Sequence, residues 1–599
     1  IIDETVLAAL VSSNSIIKMS AGTVLASVYG GGELACIGGS TEVNVSGGQI
    51  GYNEVYDTDS ENPGYVKFGG WRMGNVYGGG RGSTNAIISG LVKGNTTVNI
   101  SEANYLTAPT NIYHNVYGGG ALGSVGTFTI TNGMPDTWSN NTGTATINIK
   151  GGTIGISGRD NGMVNGSSRG DVSKPVDASG NPDDTNGVDP YDKLGWVNHT
   201  VVTVGTQGAS TGPHIKGSLY GGGENGHNAG NATVTVNSGT IGFIDNNDPW
   251  YYISKTGESE DQKEARTRKA NKRRGNVYGA GCGTDTYKNT LGVDKHNPLA
   301  GIVKGNTTVT INGGNVAHSV FGGGSMGAVK GNVAVTMTGG HVYDNVYGGC
   351  AQANTNFGNA TNYGTSSETL TATNTYKTAV TLLGGTIDGY AFGGALGSIV
   401  EASDPSSEDI PAYVYGDVKV NLNGVGTSAE YEALSTAQKA LLNPLVIASY
   451  DYYHVKETEG GCAVTRVFGA NNINGTPKGN VTVNVWATQN KEKSKTREKF
   501  KKLDEDLTTV SEVTTLKSYL EEYLSIATTT LSLTLTTEQQ NIVTTAQGNT
   551  ATAEQVKAGI TALREAIEAA VDPDTDTDEV NLNKLNALRY DVDAVYGGG

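Results

Sequence analysis

One short phrase recurs along the whole chain: an aliphatic residue, then tyrosine or phenylalanine, then a run of small residues that is mostly glycine. Ten copies occur at irregular intervals, which predicts a solenoid with loops of different length inserted between its coils. The aromatic residues of these copies are Tyr29, Tyr77, Tyr117, Tyr220, Tyr278, Phe321, Tyr347, Phe392, Phe468 and Tyr596.

The shortest interval between copies, residues 321–347, defines the repeating unit. Within it, Val333, Val335 and Met337 alternate with other residues, which is typical of a strand with one buried face. A glycine pair and one aliphatic residue, Val342, follow before the next aromatic phrase. Because glycine is the usual residue at sharp bends, each coil is predicted to hold about three short strands separated by glycine corners.

These features predict an all-β fold, a parallel β-solenoid whose coils bury their apolar faces against neighbours about 4.8 Å away. The solenoid is expected to occupy 1–486, to resume at 581–599, and to continue beyond the chain, because neither end carries a polar cap. Insertions are predicted as long loops at 51–74, 155–217, 242–275, 283–301 and 351–376, and as a short helical segment at 429–445.

A second insertion, 487–580, has the composition of a small helical bundle. Leu516 and Leu520 recur at helical spacing, and so do Ile560 and Leu563. Thr552 with Gln555 has the pattern of a capping box, which marks the start of a helix.

The aromatic residue of the phrase follows an inward aliphatic residue, so strict alternation points its ring outward. Stacked copies are therefore expected to form an aromatic ladder on one face. Two interpretations remain open: the rings pack over the neighbouring glycines, or they form a platform for a ligand.

Two groups of aromatic residues are candidates for stacking on sugar rings. Trp250, Tyr251 and Tyr252 form a cluster in the predicted loop 242–275, and Trp196 lies near the end of 155–217. The alternative is that these side chains pack their loops against the coils.

Asp572, Asp574, Asp576 and Asp578 alternate along one segment, a spacing that suits a calcium ion with oxygen ligands. The glycine and the final glutamate of the helix-loop-helix calcium motif are absent. An acidic linker that closes the helical bundle is the alternative, and no other cofactor is indicated.

Charge and composition limit the partners. The net charge of −17 disfavours nucleic acid, and no apolar run is long enough to span a membrane. The outward positions of the predicted strands are mostly threonine and asparagine, which form hydrogen-bonding ladders rather than acid/base pairs. We therefore expect a non-enzymatic protein, with a carbohydrate-binding or carbohydrate-cleaving β-helix of the lyase or hydrolase type as the alternative.

The phrase NVYGGG, together with KGNTTVTINGG at 304–314 and KGNVAVTMTGG at 330–340, resembles the repeats of very large surface proteins of Bacteroides-like and Prevotella-like bacteria. The resemblance covers the coil segments and not the insertions. It implies an extracellular location at the bacterial cell surface and a role as an adhesin or filament. The expected partners are other copies or neighbouring coils of a longer chain, and host or microbial glycans or surface proteins.

Overall fold

The computed structural model describes residues 10–51, 74–84, 86–102, 109–156, 161–244, 259, 274–359, 363, 368–372, 375–400, 408–447, 450–455, 461–488, 507–530, 532–570 and 592–598. The chain divides into two compact units. The first unit comprises Ile1–Ala487 and Ala594–Gly599 and is mostly β, and the second, Thr488–Asp593, is helical.

The larger main sheet of the first unit has 19 strands, which pair in parallel. Each repeat contributes one long strand: Ser15–Met19, Thr41–Val45, Thr96–Ile100, Thr144–Ile149, His199–Val204, Ala232–Val236, Thr307–Ile311, Val333–Val342, Lys377–Ile387, Asp417–Leu422 and Val481–Val485. A short strand follows the bend in most repeats: Thr23–Val24, Gly48–Ile50, Thr110–Ile112, Thr153–Ile154, His214–Ile215, Thr240–Ile241, Asn315–Val316 and Cys462–Ala463.

The second main sheet has 11 strands, here called the aromatic strands. Ten of them contain a copy of the aromatic phrase, and the remaining one, Val164–Asn165, has asparagine at the aromatic position. These aromatic strands pair in parallel in chain order, so that Tyr77 lies directly opposite Tyr117. They are Val28–Tyr29, Val76–Tyr77, Val116–Tyr117, Val164–Asn165, Leu219–Tyr220, Val277–Tyr278, Val320–Phe321, Val346–Tyr347, Ala391–Phe392, Arg466–Phe468 and Ala594–Tyr596. The prediction of a mostly β chain built on parallel strands is confirmed.

A third line of contacts joins the repeats. Leu10–Val11 pairs with Cys36–Ile37, and Trp196–Val197 pairs with His227–Asn228, in both cases in parallel. Single parallel bridges continue the line, as at Val303 with Val329. Each repeat therefore pairs with its neighbours along three lines.

Alternation in the long strands determines which side chains are buried. In Thr307–Ile311, Val309 and Ile311 are buried whereas Thr308 is exposed. Val309 lies directly opposite Val335 of the next repeat, so successive aliphatic side chains cover one another. Burying a valine or isoleucine side chain contributes about 1.5–3 kcal/mol, and the repeats supply such residues in columns.

The first threonine of several long strands links the two main sheets. The Thr307 hydroxyl donates a 2.7 Å hydrogen bond to the carbonyl oxygen of Gly322, directly after the aromatic residue of the same repeat. The equivalent bonds are made by Thr41 to Gly78, Thr96 to Gly118 and Thr200 to Gly221. This threonine is buried, and the bond satisfies its hydroxyl.

The first glycine after the aromatic position has no room for a side chain wherever another aromatic strand follows. A Cβ placed on Gly279 would lie far inside van der Waals contact with the carbonyl oxygen of Gly322, its counterpart in the next repeat. The same clash with the next counterpart arises at Gly30, Gly78, Gly118, Gly166, Gly221, Gly322, Gly348 and Gly393. Direct backbone contact therefore sets the spacing of the repeats at this corner.

The segment 155–217, predicted as a single loop, contains a complete repeat. Its strands at Val164–Asn165, His199–Val204 and His214–Ile215 take their places in the two main sheets. The aromatic phrase does not identify this repeat in the sequence, because Asn165 stands where the other copies have an aromatic residue. Within the described part of the chain, the strands of this sheet therefore number eleven, one more than the ten aromatic phrases.

Several insertions carry secondary structure of their own. Antiparallel hairpins form from Phe128–Thr131 with Met134–Trp138, and from Thr286–Lys288 with Asp294–His296 within the predicted loop 283–301. The predicted helical insertion 429–445 holds helices Ser428–Glu432 and Thr436–Ala440, and also a strand, Leu442–Ile447, in a sheet with Tyr450–Val455 and Gly424–Val425. Short 3₁₀ helices span Pro190–Lys193 and Phe357–Asn359.

The second unit is built from helices Val513–Ser525, Thr537–Gln547 and Ala553–Ala570, with a π-helical turn at Ile526–Thr530. Leu516, Leu520, Ile560 and Leu563 are buried in one core, as their helical spacing indicates. The capping pair is also formed, since the Thr552 and Gln555 side chains each accept a hydrogen bond from the other residue's backbone N–H.

Replacing Gly279 by alanine tests the backbone contact between repeats. We expect Gly279→Ala to lower the free energy of unfolding by about 3 kcal/mol, because the methyl group forces neighbouring backbones apart. Gly292→Ala is the control, because Gly292 has open space around it. Alanine there should lower the free energy of unfolding only through the positive φ of 78°, by about 1–2 kcal/mol. Urea unfolding followed by circular dichroism measures both, and equal losses would contradict the account.

Candidate functional site

The aromatic residues of the phrase form two columns of stacked rings. Tyr29, Tyr77 and Tyr117 form the first, with ring centroids 4.6 and 4.8 Å apart. The second runs from Tyr220 to Tyr596 with centroids 4.7–5.0 Å apart and ring planes within 12° of parallel. This spacing matches the distance between neighbouring strands, so the sheet itself holds the rings in stacking range.

Most of these rings are buried, which favours packing over a platform for a ligand. Tyr77, Tyr117, Tyr220, Tyr278 and Tyr347 are each at most 1% exposed. Burial raises the pKa of Tyr77 and Tyr117 well above that of free tyrosine, so these hydroxyls keep their protons.

Two of the tyrosine hydroxyls bind side chains that follow the glycine runs of later repeats. The Tyr117 hydroxyl donates to the Glu224 carboxylate, and the Tyr347 hydroxyl accepts a 2.8 Å hydrogen bond from Asn472 Nδ2. Each bond reaches two aromatic strands further along the sheet. These bonds add polar links between repeats that are not neighbours.

The interruption between the two columns lies at Asn165, which is fully buried opposite Tyr117 and Tyr220. Neither amide atom of Asn165 has a hydrogen-bond partner among the described residues. Met163 packs into the same cluster as Tyr220 beside this position. Burying an amide without partners costs free energy that an apolar side chain would not.

Asparagines at two corners bind the backbone of the following repeat. In the KGN phrase, Asn306 Oδ1 accepts from the Asn332 N–H at 2.8 Å, and Asn332 Oδ1 accepts from the Lys377 N–H at 2.8 Å. Before the aromatic strand, Asn115 Oδ1 accepts from the N–H groups of Gly162 and Met163, both at 2.9 Å. The asparagines of the recurring phrases therefore satisfy backbone donors where the chain turns between strands.

A cluster of buried polar groups joins the insertion after Arg169 to later repeats. Asn297 Nδ2 donates to Asp189 Oδ2 at 3.0 Å and to Asp192 Oδ1 at 2.7 Å. Ser173 donates to Asp189 through its N–H at 2.8 Å and its hydroxyl at 2.9 Å. Burial raises the pKa of Asp192 to about 7, despite the opposing effect of the hydrogen bond from Asn297.

Trp196 lies in this cluster and is 1% exposed, so its indole packs within the protein, which is the alternative that the sequence left open. Its indole N–H donates to the Asp192 carbonyl oxygen at 2.7 Å. The His227 ring lies 4.6 Å away between centroids, and Lys304 Nζ lies 4.4 Å from the centre of the indole. His227 and Lys304 both belong to repeats that follow, so their contacts with Trp196 hold the insertion against the sheet.

Burial also lowers the pKa of His227, to about 4, so this imidazole is neutral at physiological pH. Asp189 and Asp192 are 3% and 6% exposed. The carboxyl pair is therefore enclosed by protein. It accepts hydrogen bonds from Ser173 and Asn297, which attach the insertion.

The remaining predicted site residues lie outside the described part of the chain. These are Trp250, Tyr251 and Tyr252 of the glycan-stacking prediction and Asp572, Asp574, Asp576 and Asp578 of the calcium prediction. Both stay predictions. Among the residues that the structure does describe, no group of three or more His, Cys, Asp or Glu side chains is placed to hold a metal ion.

Comparison with known proteins finds no family model, no curated protein and no solved structure that matches this chain. Across the described ranges, no helix has both the length and the apolar composition that crossing a membrane requires.

Two asparagine substitutions are expected to change stability in opposite directions. Asn165→Leu should raise the free energy of unfolding by about 1–2 kcal/mol, because it removes a buried amide that has no partner. Asn115→Leu should lower it by about 1–3 kcal/mol, because two buried N–H groups lose their acceptor. Urea unfolding of both variants tests the assignment, which fails if the two changes have the same sign.

Proposed function

We propose that this chain is a parallel β-solenoid that acts as a non-enzymatic structural and adhesive segment of an extracellular bacterial surface protein. The main support is the pairing of eleven successive aromatic strands in parallel and in chain order. In a solenoid body, each repeat binds the preceding and the following one, as the repeats of the first unit do. Such a body suits a role in reach and display.

The contacts between repeats support mechanical stiffness. Backbone ladders, aliphatic columns, stacked rings and corner asparagines all run in the same direction, from one repeat to the next. Extending the chain along this direction must break several of them at once. The proposed solenoid is therefore a spacer that resists bending and unfolding.

The insertions supply the surfaces on which a partner can act. They leave the repeats at the corners and carry hairpins, short helices and loops of their own. Insertions that emerge from equivalent corners commonly form a binding face in repeat proteins. We propose glycans or surface proteins as partners, together with neighbouring coils or further copies, and not nucleic acid, since the chain carries a net charge of −17.

The enclosed state of Asp189 and Asp192 also supports a structural role over polysaccharide cleavage. An acid/base pair that acts on a polymer must reach the bond that breaks. These two carboxyl groups bind Asn297 and Ser173 in the interior instead.

Labelling cells that produce this protein tests the proposal. We expect gold-labelled antibodies against the purified chain to mark the outer surface of intact cells, on fibres or a surface layer. Permeabilised cells are the control, and label that appears only after permeabilisation would contradict the proposed location.

A second measurement separates the structural role from catalysis. Purified chain incubated with acidic and neutral polysaccharides should generate neither new reducing ends nor unsaturated products. Steady formation of either product, abolished by boiling the protein, would overturn the non-enzymatic proposal.

A further inference from the structure

A polar trough crosses four consecutive repeats along the 19-stranded sheet, with a volume of about 450 Å³. Thr240, Asn315 and His341 follow one another along it, each directly opposite the next. Ser210 and Thr211, from the loop before His214, form one wall. Because neighbouring strands lie about 4.8 Å apart, four repeats give a trough roughly 14 Å long.

Glycines keep this trough open. Gly239, Gly314 and Gly340 line it, and each has a positive φ, between 78° and 96°. This backbone conformation strongly favours glycine, because other residues bring their Cβ close to the backbone. The bend that each repeat needs therefore also leaves a surface without side chains.

Beside these glycines, neighbouring side chains hold His341 in place, and Thr240 and Asn315 are partly exposed to solvent. His341 Nε2 lies 2.9 Å from Asp388 Oδ2, and its ring stacks on Tyr343 with centroids 3.9 Å apart. Thr240 and Asn315 are half-buried at the sheet surface. Together they offer a hydroxyl and an amide, which can both donate and accept hydrogen bonds, and an imidazole whose Nδ1 can accept one when Nε2 donates to Asp388.

We propose that the trough binds a neutral polysaccharide chain, which lies along the repeats and is held by Thr240, Asn315 and His341. This proposal rests on the adhesive function proposed above and names the partner. Sugar hydroxyls both donate and accept, so they match the hydroxyl, amide and imidazole groups. The length of the trough favours several sugar units over a single one.

The lining disfavours other polymers. Among the described residues, no Lys, Arg, Asp or Glu side chain lines the trough, and the chain as a whole is acidic, so the described lining offers an acidic polysaccharide no counter-charge. A protein partner needs an apolar pocket for an anchoring side chain, and the lining is mainly glycine and small polar residues. The strands beneath already pair on both sides, so an extended peptide cannot add to them.

Affinity electrophoresis of the whole chain tests this proposal. Gels containing mannan, dextran or soluble starch serve as the neutral probes, and gels containing pectin or alginate serve as the acidic ones. We expect at least one neutral polymer to retard the protein, and Asn315→Ala or His341→Ala to weaken that binding about tenfold through lost hydrogen bonds.

Asn111→Ala is the matched control. Asn111 occupies the same position as Asn315 in an earlier repeat, opposite Thr153, but does not line the trough. It should bind like the wild type. The proposal is overturned if no neutral polymer retards the protein, if only acidic polymers do, or if the Asn315 and Asn111 variants bind equally.

The surface labelling distinguishes failure of this proposal from failure of the proposed function. Surface label without binding to neutral polymers overturns the trough assignment alone. Absence of surface label overturns the extracellular role, whatever the gels show.

Discussion

Close backbone contact at the first glycine of each aromatic strand is the constraint on which the rest of this fold depends. With a side chain at Gly279, the carbonyl of Gly322 could not approach as it does. That approach places the strands at their hydrogen-bonding distance, and the rings of Tyr278 and Phe321 then stack at 4.9 Å. The glycine therefore makes both the backbone ladder and the aromatic column possible.

At two corners of several repeats, asparagine side chains bind the backbone of the next repeat. Loops of very different length enter between repeats, yet the chain returns to the same register after each one. Asn332 illustrates this, because its side chain binds the Lys377 N–H across a long insertion. A hydrogen bond of this kind contributes about 0.5–1.5 kcal/mol. Repeated in several repeats, it favours the correct register over a slipped one.

The sequence predicts those parts of the fold that local patterns determine. Alternation at Val333 and Val335, and the bends at Gly314 and Gly340, were sufficient to place strands and corners. The repeat containing Asn165 was missed because its defining aromatic residue is replaced, although HTVVTV at 199–204 carried the strand pattern. That alternating pattern is the sequence signal by which the additional repeat could be recognised.

The polar clusters could not be predicted in the same way, because their members are distant in sequence. Asn297 reaches Asp189 and Asp192 across a separation of more than 100 residues, and no spacing rule connects them. The burial of Trp196 likewise depends on His227 and Lys304 from later repeats. The trough forms only when Thr240, Asn315 and His341 are brought into line by the register.

Disulfide trapping tests the register of the repeats most directly. Thr310 lies opposite Thr336 of the next repeat, and Thr336 lies opposite Thr381 of the one after. With cysteines at 310 and 336, about 4.8 Å apart, oxidation should form a disulfide. Cysteines at 310 and 381, about 9.6 Å apart, should remain reduced. Efficient trapping of the second pair, or failure of the first, would contradict the in-register stacking of repeats.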